Sequence, residues 1–277
     1  MMNLRFPYYQ RTYFGNQLTP MPGSLVLAAP AVLVWRGALQ GFFWLLLLYL
    51  ALRNLIFRPA QALPLFVAIL TFCPLILQQY VIGTDYFVNS IYVFLPMLLI
   101  STFEARTALI APSVLALGLA LSSRANFAFT IPVFAGALIS NGNWRRNAAT
   151  LAAVLAISAV VTLPFYFYDP AGFSPLHTRG KINQFNQLFP YAEKTFIGIT
   201  ILGSLLMAWF CGRKPCSKEN FLAAFAFTMA VPVILGAVLQ SLLLGKAEFL
   251  FCSYGTFFVF PGAVAFSPFL PLNCQKR

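Results

Sequence analysis

Arg124 is the residue of this sequence whose presence most needs a chemical reason. It stands in the stretch ALGLALSSRANF, between two apolar runs. A guanidinium group inside a lipid bilayer is costly unless it reaches water or an anionic partner. Two interpretations stay open. The long side chain anchors a helix end among lipid headgroups, or its planar fork binds a phosphate as a substrate-binding residue.

Asp85 and Asn89 form a second polar pair, in the stretch QQYVIGTDYFVN. Their four-residue spacing puts them on one face of a helix, where both side chains could line one cavity. An aspartate at a helix start is also stabilised by the helix dipole, without any further role. The pair is therefore either a helix start or part of a binding site.

A third polar group lies in the long connection 169–194, which contains His177, Arg179 and Lys181. A loop of this length in a compact bundle is more often functional or partly structured than idle. Its aromatic, amide and basic side chains suit sugar hydroxyls and phosphate, although any loop outside a membrane is polar. No nucleophile or positioned carboxylate lies near His177 in sequence, so its neighbours do not indicate a general base.

Other chemistries lack a sequence motif. The chain has no glycine-rich phosphate loop, zinc motif or Gly-x-Ser-x-Gly elbow, so no cofactor and no metal site is predicted, and no residue pattern supports a divalent ion. The net charge of +12 reflects 18 basic and 6 acidic residues. The basic residues are spread along the chain, which argues against nucleic acid as a partner. Five cysteines are interpreted as packing residues: Cys73, Cys211, Cys216, Cys252 and Cys274.

The elements that position these residues must lie in a membrane. Hydrophobic residues make up 60% of the chain and charged residues 9%, whereas soluble domains carry about 25% charged residues. The apolar runs do not alternate as barrel strands do, so the fold class predicted is all-α, a polytopic transmembrane helical bundle. About nine spans are expected from run length and punctuation: 38–57, 62–80, 85–102, 107–122, 126–141, 147–168, 195–212, 220–244 and 249–271.

The basic residues predict an orientation for this bundle. Alternate loops collect the dense pairs RR, RK and KR on one side, which the positive-inside rule assigns to the cytoplasm. The C-terminus is then cytoplasmic, residues 1–37 form an extracytoplasmic N-terminal segment, and 38–277 form a multi-pass domain with an outer loop at 169–194. Residues 1–37 show no signal-peptide pattern. We therefore expect a chain that lacks an upstream helix, or an N-out protein inserted by its first span.

Five stretches carry a resemblance to a known family. In order along the chain they are YFGNQLTPMPGSLVLAAPAVLVW, GALQGFFWLLLLYLALRN, VIGTDYFVNSIYVFLPMLL, LALGLALSSRANFAFTIPVFAGAL and NWRRNAATLAAVLAISAVVTLPFYFYDP. Together they resemble the GT-C superfamily of polytopic glycosyltransferases, especially its bacterial mannosyltransferase-like members. The likeness covers most of residues 13–175, and it rests on the order of the stretches rather than on any single motif.

This resemblance implies transfer of a sugar from a polyprenyl-phosphate donor to an extracytoplasmic glycan or lipid acceptor, in a bacterial inner membrane. It implies that Arg124, with Arg179 or Lys181, holds the phosphate leaving group. Family members carry their acidic base in a first outer loop that has no counterpart here, so Asp85 is given a supporting role and the catalytic base is unknown. Two alternatives stay open: a lipid or solute transporter, which would place ionisable groups in mid-span, and a non-catalytic membrane subunit.

Overall fold

The computed structural model describes residues 6–10, 18–34, 38–56, 59–82, 86–102, 107–140, 142–213, 216–248 and 254–266. Every regular element among them is helical. The α-helices are α1 (Pro22–Val34), α2 (Ala38–Ala51), α3 (Pro59–Phe72), α4 (Pro74–Ile82), α5 (Tyr86–Thr102), α6 (Thr107–Leu121), α7 (Ile131–Ser140), α8 (Trp144–Tyr168), α9 (Thr178–Asn183), α10 (Ala192–Gly212), α11 (Lys218–Leu244) and α12 (Thr256–Phe266). Short 3₁₀ turns cover Pro7–Tyr9, Ala125–Thr130, Ser174–His177 and Gln184–Gln187, and a π-helical turn covers Leu52–Ile56.

Three of the described helices, α8, α10 and α11, are long and apolar enough to cross a membrane. α11 has 27 residues and so extends for about 40 Å, against about 30 Å for a hydrocarbon core. The prediction of an all-helical fold is confirmed for the described residues, and these three helices are consistent with the predicted membrane protein. The count of nine spans stays a prediction, because the other apolar helices described here have 17 residues or fewer.

Prolines explain part of this difference. The expected span 62–80 is divided at Cys73, because Pro74 begins a new helix there and proline has no N–H to continue the preceding one. The expected span 126–141 likewise contains a 3₁₀ turn, Ala125–Thr130, followed by the ten-residue α7.

The core of the bundle forms around α5, which contacts α2, α6, α11 and α12. Almost every α5 side chain from Phe87 to Leu98 is buried, as expected for a helix that is apolar on all sides and enclosed by others. Aromatic rings fill the contacts: Phe94 meets Phe225 of α11 at 6.0 Å between ring centroids, and Trp44 of α2 meets Tyr92 at 5.5 Å.

The helix ends define two opposite ends of the bundle. α6 and α8 finish at one end, where the hydroxyl oxygens of Ser122 and Thr162 are 2.8 Å apart. We call this the Arg124 end. α7 runs from there to the other end, which we call the Ser140 end. There the Cys216 N–H, between α10 and α11, donates to Ser140 Oγ at 3.3 Å.

Candidate functional site

Arg124 directly precedes the 3₁₀ turn Ala125–Thr130 and is buried, with 8% of its surface exposed. Its guanidinium carbon lies 4.4 Å from the centroid of the Tyr86 ring, at the first turn of α5. A cation over an aromatic face is held by the ring quadrupole, and this attraction grows when water is excluded. The charge that the sequence placed between two apolar runs is thus enclosed by protein.

Aromatic side chains from three elements surround this position. The Tyr86 ring packs against Tyr254 at 5.1 Å and against Phe257, at the start of α12, at 6.1 Å. Phe257 in turn contacts Phe127, three residues after Arg124, at 5.1 Å. Sequence reasoning missed Tyr86 and Tyr254, because aromatic residues are frequent throughout the chain and nothing in their spacing pairs α5 with α12.

The turn that carries Arg124 is fixed by the N-terminus of α1. The N–H of Met21 donates to the Ser123 carbonyl, and the N–H of Gly23 donates to the Ser122 carbonyl, both at 2.8 Å. Helix N-termini have N–H groups without intrahelical partners, and carbonyls at the end of another helix, here α6, can accept hydrogen bonds from them. A Cβ atom at Gly23 would collide with the carbonyl of Leu119, so this close approach requires glycine.

We name residues 18–24 the connecting segment, because they join the Arg124 turn to the start of the 169–194 loop. Ser174 Oγ–H donates to the Leu18 carbonyl, and the Tyr8 hydroxyl donates to the Pro20 carbonyl at 3.1 Å. The Tyr8 ring also contacts Phe173 at 5.0 Å. Burial raises the pKa of Tyr8 above its ordinary value. For residues 18–24, the sequence predicted only that they belong to an N-terminal segment before the first span.

Of the other predicted site residues, the structure describes the side chain of Asn89. Asn89 is fully buried one turn after Tyr86 on α5, and its Oδ1 accepts a hydrogen bond from the Tyr92 hydroxyl. Asp85 lies outside the described residues. The backbones of His177, Arg179 and Lys181 lie in the 3₁₀ turn Ser174–His177 and in α9, but their side chains are also outside the described set. Their convergence with Arg124 stays a prediction.

Asp169, which was not predicted, organises the corner after α8. Its Oδ1 accepts from the Gly172 N–H at 3.0 Å, and its Oδ2 accepts from the Tyr9 hydroxyl at 2.9 Å. The Gly172 N–H, followed by the Tyr9 hydroxyl, lowers the pKa of the Asp169 carboxyl, and the same hydrogen bond raises the pKa of Tyr9. Both contributions arise because hydrogen bonds to a carboxylate favour its charged form.

The described residues contain no group of three or more metal-binding side chains of His, Cys, Asp or Glu. An apolar groove of about 360 Å³ lies between α3 and α12, lined by residues such as Leu65, Phe72 and Val259. None of its lining residues belongs to the Arg124 turn, so the polar site and the groove are separate features.

Comparison of the chain with models of protein families, with curated proteins and with solved structures finds no match. The site is therefore interpreted from its own chemistry. A buried guanidinium with tyrosine rings beside it can bind an anionic group in a region of low dielectric constant, where such an interaction is stronger than in water.

Proposed function

We propose that this protein is a membrane-embedded, GT-C-like glycosyltransferase that binds a polyprenyl-phosphate sugar at the Arg124 end and transfers the sugar to an extracytoplasmic glycan or lipid. The observation that carries the proposal is the burial of Arg124, 8% exposed, at the end of an apolar helical bundle. Ionisable residues in such a position are costly, so they are usually kept for a function.

The chemistry of sugar transfer gives Arg124 a defined task. As the glycosidic bond to phosphate breaks, negative charge collects on the phosphate oxygens, and a guanidinium held in place stabilises that charge. The Tyr86 ring, 4.4 Å from the guanidinium carbon, holds the arginine in one orientation. Since the group is already positioned, little reorganisation is needed when the charge develops.

The acceptor side of the reaction is proposed from sequence position. Asp85 directly precedes Tyr86 in the chain, and we assign it the positioning of an acceptor hydroxyl. We assign Asn89, one turn further along α5 on the same face as Asp85, to the same binding site. Arg179, Lys181 and His177 of the outer loop are proposed to complete the binding of the donor headgroup. The catalytic base is left unassigned.

The distribution of basic residues supports an orientation for the site. Arg145, Arg213 and Lys218 lie at the Ser140 end, at the start of α8, after α10 and at the start of α11. Positive residues near the ends of spans favour the cytoplasm. We therefore propose a multi-pass protein of a bacterial inner membrane, with the Ser140 end and the C-terminus in the cytoplasm and the Arg124 end outside.

Binding of a polyprenyl phosphate to Arg124→Ala and Arg145→Ala variants in lipid nanodiscs tests the proposal. Arg145 is the matched control, because it is an exposed arginine at the other end of the bundle, against the Trp144 ring. Loss of a charge-assisted contact of about 1.5–3 kcal/mol should weaken binding by about tenfold or more in Arg124→Ala only. Unpermeabilised vesicles with a labelled polyprenyl-phosphate sugar then report transfer to lipid or glycan.

Three outcomes decide between the hypotheses. Equal binding by both variants removes Arg124 from the phosphate role. Binding that depends on Arg124 without sugar transfer favours a non-catalytic subunit. Movement of the intact lipid across the bilayer, without cleavage of its sugar, favours a transporter.

A further inference from the structure

One face of α10 stays uncovered in the bundle. Only 22% of the most apolar stretch of this helix is buried. The exposed side chains include Leu202, Leu205, Leu206 and Trp209. Their spacing of three and four residues places them in one stripe along the helix. In a helix that crosses a membrane, such a stripe meets the hydrocarbon chains of lipids.

Arg213 continues this stripe at the Ser140 end. It directly follows α10, and its backbone N–H donates to the Trp209 carbonyl at 3.2 Å. Its guanidinium carbon lies 3.9 Å from the centroid of the Trp209 ring, closer than Arg124 lies to the Tyr86 ring. The ring is 59% exposed, so it holds the positive charge on the side of the helix that faces lipid.

A guanidinium stacked on a ring keeps its hydrogen-bonding edge. Stacking uses the flat face of the group, and its N–H groups point outward in the plane, where two of them can donate to two oxygens of one phosphate. An indole ring at the end of a span is typical of the headgroup level of a membrane, because its body is apolar and its N–H is polar. The phosphate of a phospholipid lies at the same level.

The charge around Arg213 distinguishes between kinds of lipid. Residues 213–219 contain three basic residues and one acidic residue, Glu219. A zwitterionic headgroup would bring a further cation into this positive region, whereas an anionic headgroup would not. Basic segments next to a span attract anionic lipids for this reason.

We propose that α10 and Arg213 form a binding site for an anionic glycerophospholipid at the Ser140 end. An acyl chain lies along the stripe of α10, and the lipid phosphate accepts hydrogen bonds from the Arg213 guanidinium, which the Trp209 ring holds in place. Lys218, at the start of α11, adds to the positive charge of this end. The cytoplasmic position proposed for the Ser140 end agrees with this partner, since the cytoplasmic leaflet is the anionic one.

This site does not depend on the sugar-transfer proposal. None of its residues belongs to the Arg124 end, and the lipid is bound without being cleaved. Failure of sugar transfer would leave the lipid site in place, and loss of the lipid site would leave the Arg124 proposal untouched.

Native mass spectrometry of the detergent-solubilised protein tests the site, with phosphatidylglycerol and phosphatidylcholine of identical acyl chains as probes. Wild-type protein should bind phosphatidylglycerol about tenfold or more tightly than phosphatidylcholine. Arg213→Gln should weaken phosphatidylglycerol binding by about tenfold, because the charge-assisted hydrogen bonds are lost. Trp209→Leu keeps the charge and the apolar surface, and should weaken binding by about two- to fivefold.

Two variants that each remove one positive charge are the controls. Lys246 is exposed beyond the other end of α11, so Lys246→Gln should leave phosphatidylglycerol binding unchanged. Arg145 is exposed at the Ser140 end, but its guanidinium carbon lies 5.8 Å from the Trp144 ring, near the limit of about 6 Å for such contacts. Arg145→Gln should therefore weaken binding less than Arg213→Gln does.

Thermal unfolding without added lipid verifies that the variants are folded, and the exposed Arg213 should be replaceable without a change in the unfolding temperature. The proposal is overturned if wild-type protein binds the two lipids equally. Equal losses in Arg213→Gln and Arg145→Gln would also overturn it, because they would show a general attraction to a basic surface. Equally tight binding of glycerol 3-phosphate would mean that the acyl chains contribute nothing, which contradicts a lipid site.

Discussion

At the residue scale, the contact between Asp169 and Tyr9 gives the molecule a defined pH dependence. The carboxyl pKa is lowered in the folded state, so the contact stabilises the fold above the ordinary pKa of aspartate and is lost as pH falls through the lowered value. The raised pKa of Tyr9 works at the alkaline side: its contribution is present below the ordinary tyrosine pKa of about 10 and is lost as pH rises through the raised value.

Hydrogen exchange of residues 6–10 measures this dependence. In wild-type protein, protection of these amides should fall in acid below the ordinary range of carboxyl groups. Asp169→Asn should lose the acid dependence, because a neutral amide does not titrate there. Tyr9→Phe should retain part of it, since the Gly172 N–H still contacts Asp169. An unchanged acid response in Asp169→Asn would show that another group controls this segment.

Sequence reasoning singled out Arg124 because a charge between apolar runs is conspicuous whatever its partners are. It did not find Tyr86 and Tyr254, because a tertiary contact between the starts of α5 and α12 leaves no local pattern. Asn89 was expected to face a cavity beside Asp85. In the structure the Oδ1 of Asn89 accepts a hydrogen bond from the Tyr92 hydroxyl. Tyr92 is three residues away, so helical spacing could have suggested this partner.

At the scale of elements, glycine allows α7 and α10 to pack closely. A Cβ atom at Gly136 would collide with the Ala208 backbone of α10, and small residues of this kind let membrane helices approach each other. Gly136→Ala should lower the free energy of unfolding by about 1–3 kcal/mol, as for other overpacked contacts. Thermal unfolding in detergent micelles measures the change.

Gly198 of α10 is the matched control for this experiment, because a Cβ atom there would meet no heavy atom within 4 Å. Gly198→Ala should be neutral or stabilise the helix by up to about 1 kcal/mol, since alanine is the better helix former. Equal destabilisation by both substitutions would mean that glycine acts through helix flexibility and not through the α7–α10 contact.

The extent of each element could be predicted only in part. Long apolar runs without a proline near their start predicted α8, α10 and α11 to within a few residues of their observed bounds. The division at Cys73 and the 3₁₀ turn after Arg124 depend on how proline and polar groups are satisfied locally, and hydropathy does not report this. Within the predicted N-terminal segment 1–37, residues 22–34 form a 13-residue helix whose start contacts the Arg124 turn.

At the scale of the whole molecule, the apolar surface faces outward as well as inward. Only 6% of the most apolar stretch of α8 is buried inside the bundle, whereas 56% of the corresponding stretch of α11 is buried. Side chains such as Val160 and Phe167 on α8 are exposed, and large apolar surfaces of this kind are stable where lipid replaces water. Composition alone predicted an outward-facing apolar surface. A chain that is 60% hydrophobic has more apolar side chains than its interior can hold, and the remainder requires an apolar solvent.

The two ends of the bundle should be reachable from opposite sides of the membrane. Ala125 and Asn220 are exposed at the Arg124 and Ser140 ends, so single cysteines can be introduced there in a variant without native cysteines. An impermeant maleimide should label Ala125→Cys in intact cells, and should label Asn220→Cys only after permeabilisation. Detergent-solubilised samples, in which both should react, are the control.

Reversed labelling would invert the proposed orientation, and labelling of both positions from one side would contradict a membrane-crossing arrangement of the ends. The orientation is a prediction from the basic pairs in the sequence, whereas the contacts that hold the Arg124 turn involve backbone atoms, which no side-chain pattern encodes.

The connecting segment joins its neighbours largely through main-chain atoms, at Leu18, Pro20, Met21 and Gly23. Side-chain substitutions at Leu18, Pro20 and Met21 should therefore leave these contacts in place, whereas Gly23 has no room for a methyl group and Pro22 and Ser24 are buried. A change in the length of the segment should not. A single inserted or deleted amino acid between Leu18 and Gly23 would shift these donors and acceptors out of register and loosen the arginine turn, even though no side chain of that turn had been altered.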